Sequence, residues 1–86
     1  MENMTEKELN RLSDLLCLGI VMKKLPDKLE PEFNKLYESA SEEERQKAAA
    51  MAYNILNKII NTPNEVLEPL VQNIVTEYKR KQRESN

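Results

Sequence analysis

The stretch Ser41-Glu42-Glu43-Glu44-Arg45-Gln46-Lys47-Ala48-Ala49-Ala50-Met51-Ala52-Tyr53-Asn54-Ile55-Leu56-Asn57-Lys58-Ile59-Ile60 decides the fold. Its first four residues have the Ser-x-x-Glu form of a capping box, in which two side chains satisfy amides that the first helical turn leaves unpaired. Three consecutive carboxylates then lie where the positive end of a helix dipole stabilises them. From Ala48 onward, Met51, Ala52, Ile55, Leu56, Ile59 and Ile60 recur at spacings of three and four, the period of a helix and not the alternation of a strand. One long helix is predicted here. Its apolar arc is wide, and the alanines at its start allow a neighbouring helix to approach closely, so it reads as the central packing element.

Working outward from it, the same punctuation recurs. Thr5-Glu6-Lys7-Glu8 is another capping box, followed by Leu9, Leu12, Leu16 and Ile20 on one face and by Lys23-Lys24, cations suited to a helix C-terminus. Leu25-Pro26 ends that helix, because proline disfavours helical backbone in the residue before it. After the connector Pro26-Asp27-Lys28, a short second helix carries Leu29, Phe33, Leu36, Tyr37 and Ala40 on one face, with Pro31 in its first turn. Asn61-Thr62-Pro63-Asn64-Glu65 breaks the central helix and offers a third Thr-x-x-Glu cap. The fourth helix then shows the rows Val66, Leu70, Ile74, Tyr78 and Leu67, Val71, Val75. Their phase runs unbroken across Pro69, so a kink or a tightened first turn is expected there, not a new element.

The predicted fold is therefore all-α, a compact four-helix bundle. Its 86 residues form a single helical domain spanning 1–86, with a polar N-terminus at 1–4 and a basic, frayed tail at 79–86. Leu29-Glu30-Pro31 matches Leu67-Glu68-Pro69 at an offset of about 38 residues, which suggests two similar helix-Pro-helix hairpins; chance agreement between amphipathic helices would look the same. A chain of this length buries only about 60–65% of the surface its unfolded form exposes, so the stability margin is thin.

Composition narrows the function. No histidine, one cysteine and one glycine remove the common general base, the Ser-His and Cys-His pairs and the Glu-x-x-His di-iron motif, so an enzyme is not expected. Zinc would need several Cys or His ligands and calcium a glycine-bearing acidic loop, and a lone Gly19 inside a helix cradles no phosphate; no cofactor or metal is expected. Gly19 instead reads as a point of close helix contact. The polar start Met1-Glu2-Asn3-Met4-Thr5-Glu6 is unlike a signal peptide, and the longest nonpolar run, Leu15 to Met22, is far short of the roughly 20 residues of a spanning helix. A lone Cys17 within that run fits a reducing, cytoplasmic setting.

Two surfaces remain as candidates. Leu9, Leu12, Leu16 and Ile20 define one side of the first helix, while Leu18, Val21, Met22 and Leu25 make its second half apolar on the opposite side as well. That side needs a cover, from the second and fourth helices or from another chain, and Tyr53, at the edge of its own arc, is a further candidate interface residue. The other surface is the ending Tyr78-Lys79-Arg80-Lys81-Gln82-Arg83. Lys79, Arg80, Lys81 and Arg83 are candidate phosphate contacts, although cations at a helix C-terminus are also explained by the dipole. Tyr37 and Tyr78 lie in apolar rows and are expected at the core edge. In size and helical architecture alone the chain resembles small bacteriocin-immunity and phage regulatory proteins, which carries over no residue. The expected role is a protein-binding regulator, inhibitor or immunity-type protein, with another protein or a second copy as partner; a nucleic-acid accessory role through the tail is the alternative.

Overall fold

A computed structural model describes residues 4–85. Four α-helices make up the described chain: α1 (Glu6–Met22), α2 (Glu30–Ser39), α3 (Glu42–Ile60) and α4 (Asn64–Ser85), with a single 3-10 turn at Asp27–Leu29 leading into α2. No strand occurs among the described residues. The Cα radius of gyration of 12.4 Å matches the value of about 12 Å expected for a folded chain of this length.

Both well-formed caps are capping boxes. The Thr5 hydroxyl accepts from the Glu8 amide at 3.1 Å, and the Glu8 carboxylate accepts from the Thr5 amide at 2.9 Å. In α3 the Ser41 hydroxyl accepts from the Glu44 amide at 3.1 Å, and Glu44 Oε1 accepts from the Ser41 amide at 2.8 Å. Glu44 does one thing more. Its other oxygen, Oε2, accepts from the Met4 amide at 2.8 Å, so a carboxylate with no exposed surface binds the segment before α1 to the start of α3.

That link sets α1 and α3 side by side. Farther along, the Cys17 thiol donates to the Ala52 carbonyl at 3.6 Å, so both helices run in the same direction. Theirs is the most extensive contact in the bundle, and Ala48 and Ala52 are fully buried within it, where small side chains let the two backbones approach. Leu9, Leu12, Leu15, Leu16 and Ile20 of α1 join Leu56 of α3, Phe33 and Tyr37 of α2, and Leu67 and Val71 of α4 in one core. A Cβ on Gly19 would fall 2.8 Å from Ile74 Cδ1, so the α4 side chain Ile74 packs against this glycine.

Three local details differ from the sequence expectation. First, α1 stops at Met22, and Lys23 takes a left-handed conformation (φ 62°) with its amide bonded to the Ile20 carbonyl at 3.3 Å. This turn brings Leu25 back into the core, where it is 8% exposed, and so corrects its assignment to an outward interface. Second, the Thr-x-x-Glu box at Thr62 does not form. The Thr62 hydroxyl donates to the Ile60 carbonyl at 3.2 Å, and it is the Pro63 carbonyl that accepts the first helical amides, from Val66 at 3.0 Å and Leu67 at 3.3 Å. The Val66 bond is of the tighter 3-10 type, and α4 then continues through Pro69 without a break. Third, Pro31 stands at the start of α2, whereas Pro69 lies inside α4, so the two Leu-Glu-Pro segments occupy different positions in their helices.

Glu44 offers a direct test of this framework. Glu44→Ala leaves the Ser41 and Met4 amides without their carboxylate acceptor, and a loss of about 3 kcal/mol in chemical denaturation is expected. Glu44→Gln keeps one acceptor oxygen and should lose less. Equal stability of all three proteins would show that the carboxylate does not hold α1 to α3.

Candidate protein-docking surface

Because α1 and α3 are parallel, their C-termini lie at the same end of the bundle. Helix α1 has 17 residues and α3 has 19. Along the apolar stripe of α3, Ala48, Ala52 and Leu56 are buried, but Ile59, on the same face of the helix, is 72% exposed.

Other large apolar side chains are exposed as well. Val21 (60%) and Met22 (55%) come from the last turn of α1, Ile55 and Ile60 flank Ile59 on α3, and Val66 lies in the first turn of α4. Lys23, Lys24 and Lys58 are also exposed. The opposite end carries Glu6, Glu8, Glu42 and Glu43 on the first turns of α1 and α3, so charge is segregated along the pair.

Of the interface residues read from sequence, Val21 and Met22 are among these exposed side chains and Leu18 is half-buried in α1. Leu25 is core. Tyr53 is half-buried on another flank, where burial and the nearby Glu68 carboxylate raise its hydroxyl pKa. The structure adds Ile55, Ile59, Ile60 and Val66. In the sequence these α3 residues simply continue its apolar arc to Ile60, and nothing local marks them as uncovered.

The basic ending is not a free tail. The helix α4 continues to Ser85, and Arg80 pairs with Glu84 at 2.6 Å and with Glu77. Lys81 bonds to Glu30 across the bundle. Lys79 and Arg83 are exposed. Two of the four candidate phosphate contacts are thus already compensated by carboxylates, which weakens the tail as a cationic patch.

Burial raises the Cys17 thiol pKa, with Asp14 adding to the effect, which disfavours the nucleophilic thiolate. Phe33, Tyr37 and Tyr78 form an aromatic cluster with ring centroids 5.1 to 6.0 Å apart, and the Arg45 guanidinium lies 4.2 Å from the centre of the Tyr37 ring. Among the described residues no group of three or more His, Cys, Asp or Glu side chains is placed to hold a metal ion, and no helix is long and apolar enough to cross a membrane. No protein family, curated protein or solved structure matches this chain.

Tyr78 yields a pH prediction. Burial, then its 2.9 Å hydrogen bond to Glu38, push its hydroxyl pKa up to about 12. Above pH 10 the unfolded chain releases this proton while the folded chain keeps it, so folding stability should fall as pH rises from 10 towards 12. In an absorbance titration Tyr78 should ionise last of the three tyrosines, and Tyr78→Phe should remove that final step. A final step that survives the substitution would contradict the assignment.

Proposed function

We propose that this chain is a non-enzymatic interaction protein that docks another protein through the apolar end formed by Val21, Met22, Ile55, Ile59, Ile60 and Val66. In this reading it acts as a small regulator, inhibitor or immunity-type protein in a reducing, cytoplasmic setting. The observation that carries the proposal is Ile59, which continues the buried stripe of α3 and is 72% exposed. Scattered apolar side chains are ordinary on a protein surface; a group of them at one end, rimmed by cations, marks an interaction site.

Magnitudes bear on the partner. Fully burying one such side chain contributes about 1.5–3 kcal/mol, so completing the burial of six partly exposed ones gives on the order of 5–10 kcal/mol. Association itself costs an estimated 4–15 kcal/mol. The apolar contacts are therefore marginal alone, and the lysine rim must contribute. A two-fold copy would bring Lys23, Lys24 and Lys58 towards their own symmetry mates, whereas a different protein with carboxylates around an apolar ridge would pair with them. Compensation of Arg80 and Lys81 by carboxylates supports this reading over nucleic-acid association through the tail.

The test uses Met22→Glu and Ile59→Glu. Both should keep the helical circular-dichroism spectrum and lose only about 0.5 kcal/mol of stability, as exposed positions do. A protein captured from the native host by the wild-type chain should be lost with both variants and kept by Lys79→Glu. A wild-type dimer that both variants render monomeric, by light scattering, would make the occupant a second copy. Unfolding of Met22→Glu, which buries an unpaired charge only if Met22 is internal, would overturn the reading.

A further inference from the structure

On another side of α1, its C-terminal turn, α2 and α4 enclose a half-open groove of about 520 Å³. Its apolar walls are Ile20, Leu25, Leu70 and Ile74 with the rings of Phe33 and Tyr78, and apart from Gly19 the rest of the lining is polar or charged. The volume is in the range of about 300–1,000 Å³ typical of small-molecule sites. None of Val21, Ile59 or Val66 lines it, although Lys23 and Lys24 do, so it adjoins the docking end without sharing its apolar residues.

Charge at its lip is unequal. Both carboxylates there already have cationic partners from α4, Glu30 in Lys81 and Glu77 in Arg80. Lys23 and Lys24 also line the groove, and neither forms an ion pair among the described residues; Lys24 acts on Glu77 only as the weakest of its cationic neighbours. The left-handed turn at Lys23 places these two lysines directly before Leu25, which re-enters the wall. The groove thus presents an apolar surface with two uncompensated cations at its edge.

We propose that this groove binds a single-chain amphiphile with an anionic head group, the chain lying against Leu25, Leu70 and Ile74 and the head group meeting Lys23 and Lys24. Ile20, Leu25, Leu70 and Ile74 offer a chain aliphatic contact, and a cationic or uncharged head would leave the lysines without a counter-charge.

Decanoate, below its micelle concentration, is the probe, with decyltrimethylammonium and decanol as controls, followed by calorimetry and by NMR of the full chain. Saturable one-to-one binding of decanoate is expected, with clearly weaker binding of both controls. Lys23→Glu combined with Lys24→Glu should weaken it about tenfold, the order expected when two partly exposed ion pairs are reversed. Leu70→Trp should abolish binding by filling the groove, and Asn73→Trp, at an exposed lining position, serves if the Leu70 variant loses helicity. Ile59→Glu should leave binding unchanged. Absence of saturable binding, equal affinity for decyltrimethylammonium, or binding that survives the tryptophan variants would each overturn the proposal. Loss on Ile59→Glu would show that the probe had bound the apolar end instead.

Discussion

The buried carboxylate of Glu44 is the constraint on which the rest of the arrangement depends. A capping-box glutamate ordinarily serves its own helix, at the surface, and is worth about 1 kcal/mol. Here one oxygen serves α3 through Ser41 and the other reaches the amide of Met4, with the side chain fully buried. A charge taken out of water must be matched by donors or it is expelled. The carboxylate therefore tolerates only arrangements in which the start of α1 stays against the start of α3. With Cys17 against Ala52 farther along, the two helices run in the same direction and both C-termini lie away from this link.

Parallel packing has an electrostatic consequence. Like ends of two helix dipoles lie side by side, and the partial charges there repel. The chain answers with formal charge of the opposite sign: Glu6, Glu8, Glu42 and Glu43 at the N-terminal ends, and Lys23, Lys24 and Lys58 around the C-terminal ends. These residues segregate charge along the α1–α3 pair, despite a net charge of only −2.

Local features were legible in the sequence and relations between helices were not. Thr5 with Glu8, and Ser41 with Glu44, could be read because each box is closed within four residues. The break before Pro26 and the continuity across Pro69 were legible from backbone chemistry and apolar phase. Leu25 was misplaced because its burial depends on the left-handed turn at Lys23, a conformation that nothing in the lysine side chain announces. The tail was read as free since Lys81 meets Glu30 across fifty-one positions, beyond any local pattern. Of the candidate interface, Val21 and Met22 were found from the helical wheel. Ile55, Ile59 and Ile60 were assigned to core, because a wheel records direction around a helix and not what covers it.

That last distinction explains why exposure of the patch is not simply poor packing. A defect in the core would spread partial exposure along a stripe, whereas Ala48, Ala52 and Leu56 are closed to solvent and Ile59, on the same face, is 72% exposed. Nor does α4 repair it, since Pro63 starts that helix at the same end and its first apolar residue, Val66, is itself 52% exposed. The left-handed turn at Lys23, followed by Leu25-Pro26, ends α1 and at the same time commits Leu25 to the interior.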